Sequence, residues 1–267
     1  MQSKDNFLLI EGEETPKKDI LDWKEYRIGY FLNKNKDKHA LNEDSLFICL
    51  KDKFICLGVC DGAGGHPKGK DASLTASKTI IEYFKKNDPL KRNIVSLIES
   101  ANDAILALKV GAHSAIAMST IEEDVLRSFS VGDSEILYSN AHGSEIYSNI
   151  PQSQVGYKVE SGILDQEASL DDPERNVVNN MMGDPSIRIE VASKLILKKG
   201  HTIIIGTDGL FDNISHEKLL NLMGTGSFEK SFEDLTQLCS ERGEDWKKDD
   251  DIAFVVLRKI KSQETSS

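Results

Sequence analysis

Two textures alternate along this chain, and each predicts a kind of element. "YRIGYFLN" and "DSLFICLKDKFICLGVCDG" are short apolar runs rich in β-formers. The break at Lys51-Asp52-Lys53 predicts a hairpin between two strands. Residues 69 to 86 then carry Ala72, Ala76, Ile80 and Phe84 at helical spacing. A second helix is predicted from "NDPLKRN", with Asp88 as N-cap and Pro89 in the first helical position. Its apolar positions Ile94, Leu97, Ile98, Ala101, Ile105 and Leu108 fall at steps of three and four, one face of a helix.

The period then shortens. "HSAIAMSTIEEDVLRSFSVGDSEILYSNAHGSEIYS" predicts three or four strands joined by tight turns. Residues 151 to 186 are polar and irregular, broken by Pro151, Pro173 and Pro185. Strands resume in "SIRIEVASKLILKKGHTIIIGTDG", followed by two short helices and a last strand, "DDDIAFVVLRKI". One helix is capped near Ser215; the other is expected from Ser231 to Gly243. Residues 1 to 20 are charged and expected as a loose arm, and 261 to 267 as a polar tail, around one domain over 21 to 260. Strands and helices are segregated rather than alternating, which predicts an α+β fold with largely antiparallel sheets.

Composition narrows the possible partners. Lys and Arg total 33 against 44 Asp and Glu, a net charge of −11, which argues against nucleic acid or an anionic membrane as the main target. The only apolar run near the start, Phe7 to Ile10, is too short for a signal-peptide core, and no run approaches the roughly 20 residues of a membrane span. The expectation is a soluble, cytoplasmic monomer. Cys49, Cys56, Cys60 and Cys239 show no C-x-x-C spacing and are expected as buried, reduced thiols.

The acids fall in a pattern. Glu43 and Asp44 stand just before an apolar run, Asp61 just after one, and Asp133 in a tight turn between two. Asp208 ends a strand-like run and is followed by Gly209, while Asp250 and Asp251 open the last strand. Carboxylates at several strand mouths suit a hard divalent cation such as Mg²⁺ or Mn²⁺, and Gly62 and Gly209 let backbone approach closely. A rival lies in the same region, because Gly64 to Asp71 reads G-x-x-x-x-G-K-D, one residue from a P-loop. A P-loop needs a hydroxyl where Asp71 stands, loop N–H donors where Pro67 removes one, and a βαβ context.

"NEDSLF", "GVCDGAGGH", "SVGDSEILY", "ERNVVNNMMGD", "IIIGTDGLFDNIS" and "DDDIAFVVL" occur in that order. Together they resemble the successive blocks of the metal-dependent Ser/Thr protein phosphatases, the PPM or type 2C family, in bacterial form. The resemblance runs from about Trp23 to Ile260. It implies an α-β-β-α sandwich of two antiparallel sheets, with two Mn²⁺ or Mg²⁺ ions at one edge. By position, Asp61 would bridge both ions, Gly62 would offer its carbonyl to one, and Asp208 and Asp250 would complete the other. Asp251 and Asp249 stay open as alternatives to Asp250. Glu43 and Asp44 match acids that hold water on the ions, and Asp133 and Asp208 match acids that hold a third, weaker ion. Residues 150 to 185 match the family's mobile flap.

The implied reaction is hydrolysis of phosphoserine and phosphothreonine on proteins, by a hydroxide bridging the two ions and attacking in line. The implied partners are phosphoproteins and an opposing Ser/Thr kinase. Two positions depart from the family. Ala63 replaces a His found in animal relatives, and His39 stands where an Arg clamps phosphate. A histidine lacks the bidentate, always-charged fork of Arg, which leaves three readings open: His39 contacts the phosphate, Lys36 or Lys38 substitutes, or His39 is a bystander. That departure keeps open an alternative, a pseudophosphatase or phosphopeptide-binding regulator on the same fold.

Overall fold

The computed structural model describes residues 5–12, 16–35, 41–63, 68–87, 93–243 and 246–260. Two antiparallel sheets pack face to face. The first is ordered β1 (Asn6–Glu11), β4 (Ser45–Lys51), β5 (Phe54–Gly62), β6 (Ser114–Glu122), β7 (Val125–Val131) and β10 (Glu190–Val191), with β11 (Leu195–Ile196) also on β7. The second is ordered β2 (Lys17–Trp23), β3 (Tyr26–Asn33), β13 (Ile252–Lys259), β12 (Thr202–Gly206), β8 (Glu135–Ser139) and β9 (Glu145–Ser148).

The central strands read as unbroken apolar runs because helices cover the outer faces, leaving both faces of these strands dry. In β4, Leu46, Ile48 and Leu50 point into the core between the sheets. Phe47 and Cys49, the alternate positions, point outward onto α1 (Gly69–Lys86) and α2 (Ile94–Leu106). In β13, Ala253, Val255 and Leu257 face the central core. Ile252, Phe254 and Val256 face the helices α5 (Asp208–Phe211), α6 (His216–Met223) and α7 (Phe228–Glu241). The result is the expected four-layer α-β-β-α sandwich. All four cysteines are buried and free. Burial pushes the thiols of Cys49, Cys60 and Cys239 up to about 12, which leaves them protonated and inert.

Several local expectations are corrected. The stretch read as a loose arm supplies β1 and β2, one for each sheet. Its short run "FLLI" suffices because both faces are used: Leu8 and Ile10 meet the central core, while Phe7 and Leu9 meet the helix-side cluster. Helix α2 begins at Ile94, where the Asn93 side chain accepts from the N–H groups of Val95 and Ser96; Asp88 and Pro89 lie outside the described residues. Helix α7 begins at Phe228, a turn ahead of Ser231, because Ser227 caps it by accepting from Lys230 N. The turn of helix α5 was not anticipated. The strand leading into α1, β5, has antiparallel neighbours on both sides, so the P-loop-like stretch lacks its βαβ context. Lys68, just before α1, pairs with the exposed Asp71 at 3.4 Å.

Two short helices, α3 (Gln154–Glu160) and α4 (Gln166–Ser169), lie in the region read as a flap. Its ends are fastened to the first sheet and to α2. Gln152 accepts from Gly132 N at 2.9 Å, Ser114 and Met182 exchange backbone hydrogen bonds, and Asn102 accepts from Gly183 N at 2.6 Å. Among the described residues no helix is long and apolar enough to cross a membrane.

Candidate metal centre

Strand direction brings the acids together. In an antiparallel sheet the end of one strand lies beside the start of the next. Ser45, opening β4, pairs with Cys60 near the close of β5. Gly206, closing β12, pairs with Phe254 near the start of β13 and with Glu135 at the start of β8. Asp44, Asp61, Asp133, Asp208 and Asp250 therefore sit at one edge of the sandwich, each within four residues of these positions.

The two sheets are stitched there by carboxylates. Asp251 accepts from Asn35 N and Glu43 N, both at 2.7 Å. Thr207 Oγ1 donates to Asp44 Oδ2 at 2.8 Å and accepts from Ala253 N at 3.1 Å. The Glu43 carbonyl accepts from Gly62 N and from the Ser73 hydroxyl, which fixes the start of α1 against the acidic edge. A Cβ on Gly62 would fall 2.4 Å from the Gly69 carbonyl, so only glycine admits this approach. A Cβ on Gly209 would fall 1.8 Å from the Asp251 carbonyl oxygen, which presses α5 onto the start of β13.

The carboxylates at this edge are too many and too close for all to be charged. Burial pushes Asp61 well above the usual range, helped by Asp208, Asp44, Asp133 and Asp250. Burial does the same for Asp44, with Asp251, Asp208 and Asp250 adding to it. Asp133 is pushed up to about 7, first by burial and then by Asp208. Asp212 is pushed up to about 8 by burial, although the Lys248 charge works the other way. Asp208 goes in the opposite direction. Burial opposes its ionisation, yet Lys248 in direct contact and a hydrogen bond with Asp61 hold it low.

Lys248 and Asp212 were missed in the sequence. The lysine is 6% exposed, and its ammonium touches Asp208 and stands 3.3 Å from Asp212 Oδ2 and 3.4 Å from Asp250 Oδ2. Asp212 belongs with Asp208 because they are four residues apart on one helical turn; that spacing was the available signal. The Asp212 Oδ2 atom is buried, with the Lys248 ammonium as its charged neighbour. Of the three candidates in "DDD", Asp250 reaches this cluster. Asp251 is engaged by two backbone N–H groups, while Asp249 turns away to pair with Arg242. Glu43 joins through its backbone, with its carboxylate lying over Gly69. His39, Lys36 and Lys38 lie outside the described residues.

The donors fit a hard divalent cation. They are oxygens only, with no thiol or imidazole among them, and they are buried with an excess of negative charge that needs protons or cations to balance it. As the side chains stand, no group of three or more His, Cys, Asp or Glu among the described residues forms a ready cage, because Asp208, Asp212 and Asp250 are turned onto Lys248. A groove opens beside the cluster toward the flap, lined by Asp133, Asp212, Ser153, Gly156, Arg175 and His216 among others. His216 is held there by Glu135 at 2.9 Å.

The sequence model of the family described as Protein phosphatase 2C matches residues 33–250, well over half of the chain, and the chain belongs to that family. Among curated proteins it is similar to the protein phosphatase PTC7 homolog fig of Drosophila willistoni, 30% identical over 205 residues and 71% of this chain. That match spans 59% of the relative's own length. Among solved structures it shares its fold with the serine/threonine phosphatase Stp1 from Staphylococcus aureus, with TM-score 0.74, 20% identity, and 95% of this chain and 100% of the other covered. It also shares its fold with the catalytic domain of the serine threonine protein phosphatase PstP in complex with two manganese ions, with TM-score 0.71, 18% identity, and 88% and 99% covered.

Proposed function

We propose that this chain is a protein phosphatase that hydrolyses phosphoserine and phosphothreonine on proteins, at a site that takes two divalent cations, Mn²⁺ or Mg²⁺. The observation that carries this reading is the meeting of Asp61, Asp208 and Asp250 with the Gly62 backbone at one edge, beside buried Asp44. Membership of the family supports it, as does the fold shared with a phosphatase whose structure holds two manganese ions.

Asp61, on which the charges of both Asp208 and Asp44 act, would be the residue shared by the two ions. Asp208 and Asp250 would serve one of them, and the Gly62 carbonyl the other. When bound, the cations supply Lewis-acid charge that makes water acidic and offsets charge on phosphoryl oxygens. The protein's own part is to hold donors rigidly. Thr207 fixes Asp44 Oδ2, Asp251 fixes the backbone at Asn35 and Glu43, and the Gly209 contact sets α5 against β13. Such positioning of attacking and leaving oxygens is what in-line transfer requires. Glu43 and Asp44 are assigned to orienting water. His39 is the residue assigned to contact the phosphate, with one N–H in place of a fork. The flap groove is where the residues flanking the phosphorylated side chain would lie.

The same proposal includes a cytoplasmic, monomeric enzyme opposed by a Ser/Thr kinase. A second reading, a phosphopeptide-binding regulator with weak catalysis, is favoured by Lys248 standing on Asp208 and by His39. Phosphate release from a phosphothreonine peptide with Mn²⁺ separates the two, because the regulator would bind the peptide without turning it over.

A further inference from the structure

The buried charge of Lys248 has no part in the chemistry above. We propose that Lys248 is a tethered counter-cation, whose ammonium takes the place of a divalent ion on the Asp208 and Asp212 side of the cluster. The chain then binds two divalent ions where its carboxylates would otherwise hold three. The inference rests on the reading of this edge as a two-cation site, and it replaces the third, weaker ion that the family resemblance implies at Asp133 and Asp208.

A surface lysine normally keeps its ammonium in water. This one is 6% exposed, in contact with Asp208, with Asp212 and Asp250 at 3.3 and 3.4 Å. Taking an ammonium out of water is costly unless carboxylates surround it, and here three do. Its placement is enforced from the backbone. Asn213 Oδ1 accepts from the N–H groups of Lys247 and Lys248, both at 2.7 Å. The Asn213 amide in turn donates to the Lys248 carbonyl at 2.8 Å and to the Gly209 carbonyl at 2.9 Å. From the flap, Arg175 donates to the Lys247 carbonyl at 2.8 Å, and Asp171 pairs with the Lys247 ammonium at 2.7 Å. The segment is thus clamped between α5 and the flap. The lysine stem runs from there onto the i, i+4 pair Asp208 and Asp212.

Charge balance points the same way. Asp44, Asp61, Asp133, Asp208, Asp212, Asp250 and Asp251 bring seven potential negative charges to the edge. Two divalent ions supply four positive charges and Lys248 a fifth. Without the lysine, Asp212 and Asp133 would face Asp208 with no cation between them, which is the environment a further divalent ion needs.

The test counts Mn²⁺ bound at equilibrium, by dialysis and by titration calorimetry, on the full chain at pH 7.5. Wild type should bind two ions and show no third at millimolar Mn²⁺. Lys248→Met should bind three, and Lys248→Met/Asp212→Asn should return to two. Lys248→Arg, which keeps the charge, should stay at two. If Lys248→Met does not fold without metal, Lys248→Gln purified in Mn²⁺ gives the same count. Equal numbers bound by wild type and by the Met or Gln variant would overturn the counter-cation while leaving the two-cation reading intact. No Mn²⁺ bound by any of these proteins would overturn both.

Discussion

Gly209→Ala is the substitution whose consequence is best defined by geometry. The added Cβ would lie 1.8 Å from the Asp251 carbonyl oxygen, a backbone atom that cannot rotate away. A carbon and a carbonyl oxygen sit at about 3.3 Å or more when packed, so α5 and the start of β13 must part by about 1.5 Å. That movement carries Asp208 and Asp212 away from Asp250. A misplacement of about 1 Å can cost on the order of 100-fold in rate, so turnover should fall by about that much or more. Overpacking of this kind also costs about 1–3 kcal/mol in stability. Gly29→Ala is the control: its Cβ would meet the Phe232 ring at 2.6 Å, between β3 and α7 and away from the acids. Urea unfolding should show both variants destabilised. Phosphopeptide turnover per folded molecule, at saturating Mn²⁺, should fall only for Gly209→Ala. Full turnover in Gly209→Ala, or an equal loss in Gly29→Ala, would refute the claim that this contact sets the site.

Two further outcomes follow from the acids and from His39. Because burial and neighbouring charge hold protons on Asp44 and Asp61, and raise Asp133 to about 7 and Asp212 to about 8, cations must displace those protons. Mn²⁺ affinity should therefore rise from pH 6 to pH 8, with proton release seen by calorimetry in buffers of different ionisation enthalpy. In chelator the folded chain holds more protons than the unfolded chain, whose aspartates titrate near 3.8, so stability should fall as pH rises from about 4 to 8. A flat Mn²⁺ affinity over that range, with no proton release, would contradict the crowding. His39→Arg should lower KM for a phosphopeptide by up to about tenfold, since one charge-assisted bond is worth about 1.5–3 kcal/mol at most and less where water reaches. Identical KM values for His, Arg and Ala at position 39, at pH 6 and pH 8, would make it a bystander.

The α+β sandwich was legible because its strands are apolar on both faces and its long helices keep a 3.6-residue period. What failed was the edge of the pattern. "FLLI" sits among charges and looks too short for a strand, yet a four-residue run is enough when both its faces find cover. The start of α7 was read one turn late because Ser231 and Asp234 imitate a cap, whereas Ser227 makes the hydrogen bond. Acids at strand mouths were legible singly, since each adjoins an apolar run. Thr207, Asn213 and Lys248 were not. Thr207 reaches Asp44, just before a strand of the other sheet, and Asn213 clamps a segment 34 and 35 residues further along. Such contacts depend on how elements pack, and no local period announces them. The Asp208 and Asp212 spacing was visible but unread, because a four-residue helix gives no apolar stripe to mark it.

The central claim is that Asp61 and its neighbours hold divalent ions for phosphoprotein hydrolysis. Phosphate release from a phosphothreonine peptide measures it directly, in wild type and in Asp61→Asn, Asp208→Ala and Asp250→Ala, across a Mn²⁺ titration with calorimetric Mn²⁺ binding on the same samples. The account predicts no release in EDTA and recovery on adding excess Mn²⁺. It also predicts loss of turnover by at least about 100-fold in each variant, together with weakened Mn²⁺ binding. Turnover that survives exhaustive chelation, or that stays near wild type in the Asp61 and Asp208 variants, would contradict it.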